Sequence, residues 1–266
     1  MMPAWLFMWT MAGALYAACK WLTFRDARVR GIATSGPRTL GYLLLWPGMD
    51  AAAFLSTRSV PRPAASEWLA AAAKTVLGVG LTWIVARGAL PAREVLAGWI
   101  AMTGIIFVLH FGTFHLLSLV WRTAGVDAER VMKNPLGARS LAEFWGRRWN
   151  TAFHALAERF AFRPLRSTSG LAWATLAAFA LSGLIHELVI TVPARGGYGL
   201  PTVYFVVQGL GVCLERSAAG RRLGLARGLR GRAFAFAVAA GPAFWLFPPV
   251  FVRNVVLPMM SSIGAA

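Results

Sequence analysis

Charge is scarce in this chain: Asp, Glu, Lys and Arg make up 14% of the residues, against about 25% in ordinary soluble domains. Acid is scarcer still, with 10 Asp and Glu against 27 Lys and Arg. The two cysteines, Cys19 and Cys213, lie far apart in apolar runs, which excludes a disulfide framework and a cysteine metal site. The histidines exclude a helical metal pair as well. His110 and His115 are five apart, whereas two ligands on one helix face are three or four apart, so no metal is expected. No basic residue precedes the apolar run that ends at Cys19, so that run reads as a retained first membrane helix rather than a cleaved leader. There is no internal repeat and no low-complexity tail.

What is abundant is apolar surface. Hydrophobic residues make up 58% of the chain, gathered in several windows of about 20 residues, the length that crosses a bilayer. Spans are expected at 4–24, 67–87, 95–121, 170–192, 200–215 and 233–252. A shorter run, 40–55, contains Trp46-Pro47-Gly48-Met49-Asp50. Proline and glycine break it, so re-entrant or interfacial placement is expected in preference to a crossing. With that choice, the loops 25–38, 57–66, 122–166 and 216–232 share one side and carry 21 of the 27 Lys and Arg. Only Arg87, Arg93, Arg195 and Arg253 fall opposite, while Lys20 and Lys74 lie near the basic ends of their helices and snorkel.

Such an asymmetry is the positive-inside rule. It accounts for the net charge of +17 through membrane lipids, with no nucleic-acid partner. The expected fold class is therefore all-α: a polytopic transmembrane helical bundle of about six spans, with a re-entrant segment and a buried amphipathic helix. Residues 1–266 would form a single membrane-embedded domain with cytoplasmic basic loops and external termini. The wealth of Ala, Arg and Gly suggests a GC-rich bacterial genome, and hence a bacterial inner membrane.

Two stretches carry chemistry. Over 140–160, Glu143, Arg147, Asn150, His154 and Glu158 recur at helical spacing, with Phe144, Trp145, Trp149, Phe153, Leu156 and Phe160 supplying apolar surface. Ser140 and Glu143 make a capping-box start, and Pro164 marks the stop. Taken alone, this reads as an interfacial amphipathic helix with tryptophans at head-group level. The second stretch, Ser182-Gly183-Leu184-Ile185-His186-Glu187, places an adjacent His and Glu inside an apolar span. Ionisable groups there are costly, so function is the default reading.

Together these stretches resemble a known family. Leu141-Ala142-Glu143-Phe144-Trp145-Gly146-Arg147-Arg148-Trp149-Asn150 resembles the signature of the wax synthase-like branch of membrane-bound O-acyltransferases (MBOAT). Ser182-Gly183-Leu184-Ile185-His186-Glu187 is similar to that family's histidine motif, and Trp46-Pro47-Gly48-Met49 resembles an upstream stretch. The resemblance covers roughly 130–215. It implies acyl transfer from acyl-CoA to a hydroxyl, with the motif His and Asn, by position His186 and Asn150, facing a tunnel in the membrane.

The chemistry suits these residues. Attack of a hydroxyl on a thioester needs a group that takes the proton, and histidine titrates near working pH. The amide of Asn150 supplies a hydrogen-bond donor to the tetrahedral intermediate or orients a substrate. No cofactor is expected, acyl-CoA being a co-substrate alongside a lipophilic alcohol. Trp145 and Trp149 are candidate substrate-binding residues, as is Glu187. Arg147 and Arg148 are candidate phosphate contacts that equally suit Glu143 or lipid head groups. The rival from another class is a transporter or lipid-binding protein with His186 and Glu187 as a polar relay. One geometric demand follows. His186 stands about 22 Å into its helix if that helix starts near Leu171, so either the 140–160 segment dips into the membrane core or the later span is strongly tilted, and burial of 140–160 in the protein is expected.

Overall fold

The computed structural model describes every residue except Met1, Thr34, Ser59, Pro91 and Ala92. Among the described residues the secondary structure is helical, with no strand. α1 (Ala4–Val29) precedes two short helices, α2 (Gly36–Leu45) and α3 (Ala51–Leu55). Next come α4 (Ala65–Ala89), α5 (Glu94–Thr123), the one-turn α6 (Leu141–Glu143) and the long α7 (Thr151–Ala194). α8 (Leu200–Arg216), α9 (Ala218–Leu223) and the pair α10 (Gly228–Leu246) and α11 (Pro249–Ser262) complete the chain. Among the described residues three helices, α4, α5 and α7, are long and apolar enough to cross a membrane. A fourth crossing exists if α10 and α11, bent by 54°, form one span. They cover the expected spans at 67–87, 95–121 and 170–192. The 17-residue α8 matches 200–215 in position, and at 1.5 Å per residue reaches about 25 Å.

The contacts divide into two compact units: Gly13–Met132 with Met259–Ala266, and Lys133–Pro258 with the start of α1. In the first, the 40–55 stretch is not one helix. α2 ends at Leu45 and α3 begins at Ala51, with Trp46–Asp50 non-helical between them, as the proline and glycine predict. Asp50 is not stranded among apolar side chains, because its carboxylate caps α3 by accepting from the Ala53 amide at 2.9 Å. The Tyr16 hydroxyl donates to the Trp46 carbonyl at 2.9 Å, and the buried Lys20 amine donates to the Gly48 carbonyl. Phe54, Tyr42, Trp46 and Trp121 pack around this turn.

In the same unit α4 and α5 run antiparallel in close contact. A methyl on Gly78 would stand 2.6 Å from the Gly104 carbonyl oxygen, and one on Gly104 would meet the Gly78 oxygen at 2.7 Å. Small residues let the backbones approach, which is how helices associate where lipid removes the hydrophobic driving force.

In the second unit, α7 is not stopped by Pro164. A wide, π-helical turn, Glu158–Phe162, precedes it, and the Arg163 amide bonds back five residues to Glu158. This looser turn gives the proline ring room inside the helix. The actual break is Gly170 (φ 79°, ψ 172°), a conformation open to glycine. The membrane-length part therefore starts at Leu171, close to the expected 170–192.

Candidate functional site

The 140–160 segment is not the continuous amphipathic helix that its periodicity predicts. Ser140 does start a helix, its hydroxyl accepting from the Glu143 amide at 3.0 Å. The Glu143 carboxylate returns the bond one residue earlier than a capping box would, to the Arg139 amide at 2.8 Å. A wide turn over Phe144–Arg148 follows, closed by the Trp149 amide donating to the Phe144 carbonyl at 2.9 Å. Trp149 is then extended (φ −96°, ψ 123°) and Asn150 left-handed (φ 42°, ψ 59°). Asparagine is one of the few residues that visits that region readily. Across this break Phe144 is buried, and Trp145 and Trp149 pack partly buried against the same cluster. Glu143, Arg147, Asn150 and His154 consequently do not share one helix face.

The segment is packed into the protein, as the geometric demand requires. Leu141 and Phe144 form a cluster with Val212, Ala235 and Ala239, joined by Trp145, Trp149 and Phe179. The buried Glu215 carboxylate of α8 accepts from the Leu141 and Ala142 amides, anchoring the start of α6. The Trp145 indole donates to Gln208 Oε1 at 3.2 Å, and Gln208 Nε2 donates to the Val238 carbonyl at 2.8 Å. Trp145 also meets Phe179 edge-on at 6.0 Å. Phe179 is eight residues beyond Leu171, so the segment sits about 12 Å along the α7 span.

Arg148 and Arg147 divide. Arg148 is a strut: Nε lies 2.7 Å from Glu143 Oε1, and Nη1 donates to the Asn134 carbonyl at 3.1 Å. Burial pushes the Glu143 carboxyl up, but the Arg139 amide and the Arg148 guanidinium outweigh it and hold it below the usual range. Arg147 is exposed and keeps its guanidinium at the surface.

His186 ends the α-helical part of α7, immediately before a wide turn at Glu187–Thr191. Such turns are frequent at functional sites. Its Nδ1 lies 2.7 Å from the Ser182 carbonyl. A carbonyl only accepts, so Nδ1 carries the proton and the neutral ring keeps its lone pair at Nε2. Nε2 has no hydrogen-bond partner among the described residues, and the side chain is only half-buried. Phe205 of α8 covers the imidazole, with ring centroids 4.4 Å apart at 40°. The same Phe205 touches Trp145 at 5.8 Å, Trp145 touches Phe144 at 5.1 Å, and Phe144 stacks on Trp149 at 5.6 Å. One run of rings thus joins His186 to the residue before Asn150. Asn150 caps α7, its carbonyl accepting from the His154 amide at 3.1 Å. The His154 ring packs beside Gly146.

Glu187 points elsewhere. Its carboxylate accepts from the Thr202 amide at 3.1 Å, the Thr202 hydroxyl at 2.9 Å, the Thr191 hydroxyl and the Gly199 amide. These donors include the first-turn amides of α8, which attract negative charge, so Glu187 caps that helix from its neighbour. Phe205, Gln208 and Glu215 were missed from sequence. Gln208 and Glu215 carried a signal, as polar groups in an apolar span; Phe205 carried none. An open groove along Leu165, Ser169, Trp173 and Ala177 follows one face of α7, nine residues or about 13 Å short of His186, and is not the reaction centre.

These features fall within the part of the chain that known proteins share. The sequence model of the membrane bound O-acyl transferase family matches residues 128–207, a stretch that includes Trp145, Asn150, His186 and Phe205. More particularly, the chain is similar to the long-chain-alcohol O-fatty-acyltransferase of Simmondsia chinensis, at 32% identity over 146 residues, 50% of this chain and 41% of that protein. It is also similar to two Arabidopsis thaliana proteins described as probable long-chain-alcohol O-fatty-acyltransferases 2 and 3. The former is 34% identical over 49% of this chain and 41% of the relative, the latter 28% over 54% and 46%. The chain thus spans less than half the length of these relatives. The resemblance to the wax synthase-like branch is borne out.

Proposed function

We propose that this chain is an acyl-CoA:alcohol O-acyltransferase acting on a long-chain alcohol. The observation that carries the reading is the His186 ring: the Ser182 carbonyl holds the proton on Nδ1 and leaves Nε2 unpartnered. In the proposed step, Nε2 takes the hydroxyl proton as the alcohol oxygen bonds to the thioester carbonyl carbon. The tetrahedral intermediate collapses, the carbon–sulfur bond breaks, and the leaving sulfur recovers the proton from His186. The products are an ester and the free thiol of coenzyme A, and no cofactor is needed. The Asn150 amide assists by donating to the oxyanion or by orienting the alcohol. Trp145 and Trp149 line the acyl side, and Arg147 lies toward the coenzyme A phosphates.

The rival relay of His186 with Glu187 is disfavoured, because the Glu187 carboxylate is engaged by α8. The remaining proposals are a single membrane domain, basic loops in the cytoplasm and, on composition alone, a bacterial inner membrane; the relatives named above are plant proteins. The test offers fatty alcohols, sterols and diacylglycerol with a panel of acyl-CoAs to membranes holding the normal chain or His186→Ala, reading thiol and ester. Ester from the normal chain that falls roughly 10²–10⁴-fold in the variant is the expected result. Equal ester from both, with the variant folded, removes His186 as the base.

A further inference from the structure

The unit built from Gly13–Met132 contains an ionisable group that the acyl-transfer step leaves unused. His115 of α5 is only 4% exposed, and its Nε2 is buried with no hydrogen-bond partner among the described residues. An unpaired polar atom in such a place is costly, and in an apolar span it marks a functional site by default.

The register of α4 against α5 shows what faces it. Glu67 meets Arg122 at one end, Thr75 meets Gly112 further in, and Gly78 meets Gly104 and Val108 beyond that. Lys74 therefore lies level with the turn that carries His115. The loop after α5 folds back over the same level, as the Ser118 hydroxyl donates to the Ala128 carbonyl at 2.6 Å. That fold returns the loop carrying the exposed Arg130 towards this level. Lys74, Arg130, Glu67 and Arg122 all act electrostatically on His115, and Arg130 acts on Lys74.

The charges do not balance. Arg122 holds Glu67 through both carboxylate oxygens, at 2.8 and 3.2 Å. Lys74 and Arg130 have neither hydrogen bond nor ion pair among the described residues. Lys74 on α4, His115 on α5 and Arg130 on the following loop thus stand near one level of this unit, without a partner among the described residues. His115 is eight residues inside the end of α5, about 12 Å along it, so the cluster lies below a rim formed by the Glu67–Arg122 pair. Two cations favour an anionic ligand, and one with several oxygens can accept from both and from the imidazole when its Nε2 carries the proton, which is the chemistry of a phosphate group.

We infer that Lys74, His115 and Arg130 form a phosphate-binding site in this unit. Two sources bear such a group, coenzyme A and a lipid head group. The coenzyme A arm rests on the acyl-transfer reading and the lipid arm does not.

The test uses the full chain with Lys74→Met, His115→Phe and Arg130→Gln, and with Arg62→Gln as a control that removes one charge from an exposed loop. Coenzyme A binding is measured by calorimetry in lipid-free detergent micelles, and retention of phosphatidylglycerol by native mass spectrometry. Arg130 is exposed, so Arg130→Gln keeps the test valid should His115→Phe fail to fold. The expected result is a loss of roughly tenfold or more for one ligand in Lys74→Met and Arg130→Gln, with melting unchanged. Loss for coenzyme A alone assigns that source, and loss for phosphatidylglycerol alone assigns the head group. No loss for either ligand, or an equal loss in Arg62→Gln, overturns the site. Neither readout involves turnover, so a failure of the His186 test leaves this result standing on its own.

Discussion

At the scale of single residues, His186 owes its proposed role to one hydrogen bond. Donation from Nδ1 to the Ser182 carbonyl fixes both the tautomer and the ring direction. Trp145 matters for a different reason. Gln208 is fully buried and its Oε1 accepts from the Trp145 indole. Trp145→Phe leaves that oxygen unsatisfied and is expected to cost about 1–3 kcal/mol of stability, read by denaturant or thermal unfolding in micelles. A variant as stable as the normal chain would show that this bond does not anchor the segment. Glu143 makes a pH prediction. Its folded-state pKa is depressed, so its contribution is present above the unfolded value and is lost as pH falls through the folded one. Melting of the normal chain is expected to decline below about pH 4, and Glu143→Gln to flatten part of that decline.

At the scale of elements, the contact of α7 with α8 places the imidazole against Phe205. A methyl on Gly183 would stand 2.6 Å from the Thr202 backbone, and backbone cannot step aside as a side chain can. Gly183→Ala is expected to destabilise by about 1–3 kcal/mol and to lower ester formation by moving His186. Full activity at full stability would mean that the two helices are less tightly coupled than their geometry implies. Glu187 belongs to this scale too. As the cap of α8 its removal acts through the helix, so Glu187→Gln is expected to reduce melting temperature more than it changes the pH profile of the reaction. A shifted profile with unchanged melting would return Glu187 to the reacting centre.

At the scale of the whole chain, the testable property is sidedness. Cysteines introduced at Ala124 and Arg222, in a background lacking Cys19 and Cys213, are expected to label from the cytoplasmic face. One at the exposed Tyr198 is expected to label from the other face. Opposite labelling of Ala124→Cys and Arg222→Cys would overturn the proposed topology. With acyl-CoA as the proposed donor, high salt is expected to weaken its attraction to the basic loops, raising KM more than it lowers kcat.

Much of this was legible in the chain itself. Runs of about 20 apolar residues dictate membrane-length helices wherever they occur, so α4, α5 and the later part of α7 were readable to within a few residues. The Trp46-Pro47-Gly48 interruption was readable for the same local reason, and the paired motifs around Asn150 and His186 carried the resemblance. Periodicity misled where local pattern and burial disagreed. Residues 140–160 have helical spacing, yet the chain breaks where Trp149 is extended and Asn150 left-handed. Pro164 looked like a stop until a wide turn made room for it. That Phe205 lies on the His186 ring and that Glu187 caps α8 were decided only by the tertiary structure. Those facts depend on α8 packing beside α7, a contact between residues far apart in sequence that no local pattern records.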